Sequence, residues 1–238
     1  AHLTLHDLKR HSKLVVFKMS RTTFCFNLVL LAASSLVYGI TEEENCEKPP
    51  YEEDECNFMY QDASEAVNID GKIYVKSQNF NSTLPPLCDS AERVEKFNDT
   101  NFNFTLAAVV FNRTYVVKFN TSFVLSKTGN HTKYNAMTYK YETRQPPKLR
   151  KLLYMNINKT CMIFIDDRNS SAEPARCQLL QPAQYADQNV TEDCQQVYDQ
   201  QCPGPRRTVY FSWCKNLTEV SVEDFMKSLR TTPAPQGC

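Results

Sequence analysis

From residue 73 to residue 180 the chain is a series of short apolar runs, most of them alternating with polar positions. Turn-forming residues divide them. IYVKSQNF (73–80) comes first, followed by a weaker run at 88–97. FNFTLAAVVF (102–111), TYVVKFNTSF (114–123) and KYNAMTYKYE (133–142) continue the series, and KLLYMNIN (151–158), CMIFID (161–166) and CQLL (177–180) complete it. Runs of this length, rich in β-branched and aromatic residues and bounded by Asn, Asp, Gly and Pro, predict strands. The fold class is therefore mainly β. Eight antiparallel strands in series can close into an up-and-down barrel, which removes both sheet edges and leaves an interior able to hold one small ligand.

Strand periodicity assigns faces, because successive side chains point to opposite sides of a sheet. Asn103 and Asn120 are glycosylation acceptors inside strands and must face solvent. Their orientation sends Phe102, Phe104, Leu106, Ala108 and Val110 inward, with Tyr115, Val117 and Phe119 beside them; Val116 and Lys118 point outward with Asn120. Alternation carried back from Asn158 turns Leu153, Met155 and Ile157 inward. In 137–142, Met137, Tyr139 and Tyr141 form the apolar stripe. Candidate pocket residues are accordingly Phe102, Phe104, Leu106, Tyr115, Val117, Phe119, Met137, Tyr139, Tyr141 and Met155. Tyr74 joins them as a ring and hydroxyl donor, and Glu142 as an acid that a one-residue slip would bring inside, as such a slip would Asp166.

Three helical segments flank the strands. DASEAV (62–67) reads as a short helix. TEDCQQVYDQQC places Cys194, Tyr198 and Cys202 on one helical face, which two disulfides can staple to the barrel. SVEDFMKSL has Ser221 as N-cap with Asp224 three residues on, and an apolar face of Val222, Phe225, Met226 and Leu229.

The region ahead of the strands sets the compartment. Met19 opens a stretch with one early positive charge, Arg21, an apolar core from Phe24 to Ala33, and small residues ending at Gly39. It reads as a signal peptide over 19–39, too short and too interrupted for a membrane span. Residues 1–18 read as translated upstream sequence. The parse continues with an acidic, loop-like segment at 40–60, the β domain at 61–230 and a flexible tail at 231–238. The expected product is a secreted monomer without membrane attachment. The chain has 27 basic and 27 acidic residues; removing Lys9, Arg10, Lys13, Lys18, Arg21 and Asp7 leaves 22 and 26, a net of −4. Nothing in that balance suggests a nucleic-acid surface.

Nine cysteines follow Gly39, and in a secreted chain they imply disulfides. They are Cys46, Cys56, Cys88, Cys161, Cys177, Cys194, Cys202, Cys214 and Cys238. The odd count leaves one over, and Cys238 in the tail is the first candidate. Glycosylation acceptors occur at Asn81, Asn98, Asn103, Asn112, Asn120, Asn130, Asn158, Asn169, Asn189 and Asn216, and six of them fall beside proposed turns. Glycans must face solvent, so these positions mark the exterior. Only His131 remains after the leader, on what the adjacent Asn130 acceptor suggests is a crowded surface loop. With no partner set for nucleophilic or histidine-metal chemistry, the chain is read as a binding protein, not an enzyme, with no cofactor or metal.

The ordered set Asp62-Ala63-x-x-Ala66, the IYVKSQNF strand, Cys88, Cys161, Cys177 and Cys194-x₃-Tyr198-x₃-Cys202, behind a signal peptide, resembles the salivary lipocalins of ticks, the histamine-binding protein family. The resemblance spans about Asp62 to Cys214. It implies a calyx that sequesters small host mediators, histamine, serotonin, leukotrienes or other lipids, and so evades host inflammatory defence. It also implies disulfides Cys88–Cys194 and Cys177–Cys202, with Cys161–Cys214 as a further guess. Two departures stand out. Ser64 occupies a position where the family usually has tryptophan. The amine-binding pattern Cys-Asp-aliphatic, loop, Cys-Glu/Asp-Leu reads here as Cys161-Met162-Ile163 and Cys177-Gln178-Leu179, so both acids are absent. An ammonium buried unpaired costs several kcal/mol. The family thus favours an amine, whereas the apolar, tyrosine-rich lining favours a lipid mediator. A third reading makes the chain a glycoprotein that binds a host immune protein through its loops.

Overall fold

The computed structural model describes residues 48–82, 87–109, 115–143, 145–168 and 170–231. The upstream and signal segments, Cys46, Val110, Asn112, Asn169 and Cys238 lie outside the described residues. Eight antiparallel strands form the body: β1 (Lys72–Gln78), β2 (Ser90–Lys96), β3 (Asn101–Val109), β4 (Tyr115–Ser126), β5 (Ala136–Tyr139), β6 (Lys148–Met155), β7 (Met162–Asp166) and β8 (Cys177–Pro182). Consecutive strands pair, β1 pairs with β8, and β4–β5 pairing completes the ring. The closed barrel is the lipocalin fold, and its strands match the eight sequence runs.

The faces follow the expected alternation wherever the strands are regular. Phe102 pairs with Phe123 inside, while Thr105 pairs with the exposed Asn120 outside. Besides a register shift in β2 between Arg93 and Glu95, two irregularities break the pattern of the lining. In β6 the register shifts between Leu152 and Tyr154. The extra residue lets Leu152 and Met155 both face the interior core, while Leu153 and Tyr154 belong to the outer cluster beneath a helix. Leu153 is therefore buried on the outside, contrary to simple alternation. Ile157 lies in the turn beyond β6 and is 90% exposed, not inward. A second shift in β1, between Val75 and Ser77, keeps Ile73, Val75 and Gln78 on the cavity side.

Three helices cover the barrel. α1 (Ala63–Val67) is capped by Asp62, whose side chain accepts from the Ser64 amide at 3.1 Å. It packs its alanines and Val67 among Leu152, Met155 and Phe102, so it closes that end. Ser64, at the position of the missing tryptophan, is half-buried. Arg93 reaches from β2 to the Val67 carbonyl at 3.1 Å and pins the helix C-terminus. α2 (Glu192–Gln201) lies against β6 and β7. β9 (Arg207–Thr208) pairs with β1, and β10 (Thr218–Ser221) adds in parallel to β4. α3 (Val222–Thr231) follows, with the Ser221 hydroxyl accepting from the Asp224 amide at 3.0 Å, as the capping pattern predicted.

The disulfides correct part of the implied framework. Cys177–Cys202 is present, but Cys194 pairs with Cys161 and Cys88 pairs with Cys214. Geometry explains the exchange. Cys161 lies immediately ahead of β7 and Cys177 opens β8 opposite Ile165. They are thus four rows apart along the sheet, about 13 Å. Cys194 and Cys202 are eight residues apart on α2, about 12 Å along its axis. The helix therefore bridges these two strands end to end. Cys88, ahead of β2, is instead covered by the segment carrying Tyr210 and Cys214. Cys56 is exposed and outside any disulfide among the described residues.

The described part of the acidic N-terminal segment, from Lys48 on, is packed and not a solvated loop. It forms 3₁₀ turns at Tyr51–Glu53 and Glu55–Tyr60 and packs on β6. Glu52 is fully buried and takes a two-pronged pair from Arg168, at 2.6 and 2.9 Å. Glu53 pairs with the buried Lys151 at 2.8 Å. His131 belongs to this seam and not to the surface. It is buried, stacks on Phe58, and has Nε2 2.8 Å from Gln61 Oε1, while the neighbouring Asn130 stays exposed. Burial lowers its pKa, so the ring is held neutral as a packing element.

Candidate ligand-binding site

The barrel interior contains a cavity of about 430 Å³. Toward α1 its wall is apolar, with Ala66, Val67, Ile73 and Ala91. Phe104 stacks on Phe123 at 4.3 Å and Phe123 on Tyr139 at 4.1 Å, and Tyr141 continues this aromatic wall 6.5 Å beyond Tyr139. Such ring faces suit a flat or hydrocarbon ligand and also attract cations.

Polar groups gather away from α1, where Gln78 ends β1 and Tyr141 and Glu142 follow β5. The Tyr141 hydroxyl donates to Asp89 Oδ2 at 2.6 Å. It accepts from Gln178 Nε2 at 3.0 Å, and that nitrogen also donates to Gln78 Oε1 at 3.1 Å. Gln178 Oε1 in turn accepts from Arg150 Nη1, which also donates to the Tyr139 hydroxyl at 3.1 Å. Arg150 Nε lies 2.9 Å from Asp166 Oδ1, and Arg176 shares that carboxylate at 3.1 Å.

This network accounts for one missing acid. The residue at 178 must donate twice and accept once, which an amide can do and a carboxylate cannot. Met162, at the other altered position, is simply part of the apolar lining.

The charges inside differ in kind. Asp89 is buried, and burial raises its pKa to about 6, with the Tyr141 hydrogen bond opposing the shift. Among the described residues no basic side chain pairs with it. Burial also raises the Tyr141 hydroxyl well above its usual value, reinforced by Asp89, so the phenol remains a donor. Arg150 behaves oppositely: burial works against its charge, but Tyr139 and Asp166 outweigh that and its pKa is raised.

Of the residues nominated from sequence, Phe104, Leu106, Val117, Phe119, Met137, Tyr139, Tyr141 and Glu142 line the cavity, Glu142 at its exposed rim. Phe102 and Met155 lie in the same core but are packed toward α1, off the cavity wall. Tyr115 meets Phe225 of α3 edge-on at 5.9 Å. Tyr74 is on the opposite face of β1, against Tyr210, and is outside the cavity. Sequence reasoning missed Asp89 and Arg150. Asp89 sits two residues ahead of the inward Ala91, in the run judged weakest, and pairs opposite Val75. Arg150 lies just before the predicted start of its strand and was hidden by the β6 bulge. The one described cluster with metal-ligand spacing, Cys161, Asp193 and Cys194, is tied up by its own disulfide.

Residues 51–216 match the family model described as tick histamine binding protein. This chain belongs to that family. Its members are small-ligand-binding lipocalins, and the three disulfides among the described residues are consistent with secretion. Among solved structures, the chain is similar to japanin from Rhipicephalus appendiculatus bound to cholesterol, with 14% identity, 62% of this chain and 95% of that one covered, and a TM-score of 0.46. It is also similar to AM182 in its serotonin complex, at 10% identity, 64% and 91% coverage and a TM-score of 0.46. Insecticyanin from the tobacco hornworm Manduca sexta gives 14% identity, 74% and 91% coverage and a TM-score of 0.49. No curated protein sequence matches the chain.

Proposed function

We propose that this tick lipocalin is secreted in saliva as a monomer and sequesters a small amine mediator of the host, one per calyx, without catalysis. The observation that carries this reading is Asp89. It is a buried carboxylate at the cavity wall with no basic partner among the described residues, beside the aromatic faces of Tyr139 and Tyr141. An ammonium ion there gains a charge partner and ring faces, and it repays the cost of keeping Asp89 ionised in a buried setting. A second reading, capture of a lipid carboxylate, is favoured by Arg150 and the apolar wall toward α1.

The two differ in the sign of their pH dependence. Serotonin keeps its ammonium charged between pH 5 and 8, so its affinity rises as Asp89 ionises through pH 6. Arachidonate or a leukotriene binds better when Asp89 is protonated, so its affinity falls over the same range. Calorimetry of serotonin, histamine, a leukotriene and arachidonate at both ends of that range is expected to show one-to-one amine binding, tighter at pH 8. The opposite slope with a fatty acid selects the lipid reading. No binding across the panel selects capture of a host protein by the loops.

A further inference from the structure

We infer that Arg150 makes the calyx selective for singly charged amines whose far end carries an oxygen acceptor, and that it excludes diamines. The inference rests on the amine reading, because it takes Asp89 as the seat of the ammonium.

Three observations on the cavity wall carry it. First, Arg150 is a buried residue lining the cavity, joined to Asp89 only through Gln178 and Tyr141. An ammonium at Asp89 is thus separated from the guanidinium by two side chains. A second ammonium reaching along the same wall meets the guanidinium directly. Second, the guanidinium is incompletely neutralised. Its carboxylate, Asp166, also serves Arg176, leaving two cations on one anion. Third, the groups that Arg150 and Gln178 present to the buried part of this wall are donors, the Glu142 carboxylate standing at the exposed rim. A guanidinium has no acceptor atom, and Gln178 already spends its oxygen on Arg150 and both its amide hydrogens on Gln78 and Tyr141. A ligand's far end can join this wall by offering a lone pair, as a phenol oxygen, carbonyl or carboxylate does. Another N–H gains no hydrogen bond from the guanidinium, and its charged acceptor on this lining beyond Asp89 is Glu142 at the exposed rim.

Like charge in a low-dielectric cavity is poorly screened, whereas a hydrogen bond from a charged donor is among the stronger ones. The discrimination is therefore expected at each end of a three-ligand series: serotonin, with ammonium and phenol; tryptamine, which lacks the phenol; and 1,5-diaminopentane, with two ammonium groups.

Calorimetry of the intact secreted protein at pH 8 tests this. Serotonin is expected to bind about tenfold or more tightly than tryptamine, the size of one hydrogen bond to a charged group, and diaminopentane weakest of the three. In Arg150→Gln the preference for serotonin over tryptamine collapses and diaminopentane gains. Should that variant fail to fold, Arg150→Met removes the charge while keeping an unbranched side chain of similar reach and leaves Asp166 to Arg176, and diaminopentane affinity is expected to rise about tenfold. Parent protein that binds diaminopentane as tightly as serotonin overturns the inference, as does an unchanged ligand order in a folded variant. In both cases amine capture itself stands. Absence of binding by all three amines instead overturns the amine reading and takes this inference with it.

Discussion

Asp89 is stabilised in its neutral form by the same burial that fits it to meet a cation. Its pKa rises from 3.8 to about 6, so the folded state holds the proton more tightly than the unfolded chain. The resulting stability is fully present below about pH 4 and is lost as pH rises through 6. A shift of this size corresponds to roughly 3 kcal/mol at most. Asp89→Asn keeps an acceptor for the Tyr141 hydroxyl and carries no charge. The ligand-free variant is expected to melt higher than the parent at pH 8, to match it at pH 4, and to lose at least tenfold in serotonin affinity. Thermal unfolding at the two pH values, with calorimetry at the higher, checks all three. A parent whose melting temperature is flat over that range would show that Asp89 is not the buried acid described here.

At the scale of elements, strand existence and order were legible because each strand keeps a period of two and is bounded by turn residues. Helix α2 was equally legible, since Cys194, Tyr198 and Cys202 recur at helical spacing and all three are buried against the barrel. What the pattern could not show is where a strand carries an extra residue. The β6 bulge moved Leu153 to the outer face and brought Arg150 inside, an inversion that no count of apolar positions reveals. Cysteine pairing is similarly hidden, because it depends on which strand ends the helix spans. Its consequence is measurable. The Cys88–Cys214 bridge closes 126 residues and the Cys177–Cys202 bridge 25. Constraint of the unfolded chain then gives about 5 and about 3.5 kcal/mol. Replacing each pair by alanines is expected to lower urea stability in that order, and peptide mapping without reduction should recover 88–214, 161–194 and 177–202.

For the whole molecule, the described part of the N-terminal segment is a strap rather than a leader to the domain. Glu52 and Arg168 form a buried two-pronged pair between residues 116 apart in sequence. Removing one member of such a pair leaves a desolvated charge and costs about 3–5 kcal/mol. Glu52→Ala is expected to lose stability on that scale in denaturant titration. Ligand affinity should change little, because Glu52 lies outside the cavity lining. The acceptor asparagines fit the same picture from outside: Asn81, Asn98, Asn120, Asn130, Asn158, Asn189 and Asn216 are exposed and Asn103 is half-buried, so glycans would coat the barrel and leave its interior free.

The sequence by itself determined the barrel, its strand order and most of its lining, because hydrophobic alternation and turn chemistry are local properties written residue by residue. It also showed that the acids of the amine-binding pattern were gone from the Cys161–Cys177 hairpin. Only the tertiary structure decided what replaced them. Asp89 enters from the residue just ahead of β2 and Arg150 from β6, and they meet through Tyr141 and Gln178. Closing the sheet brings such residues face to face, and a single bulge selects which side chains arrive. Neither effect leaves a mark in the local pattern.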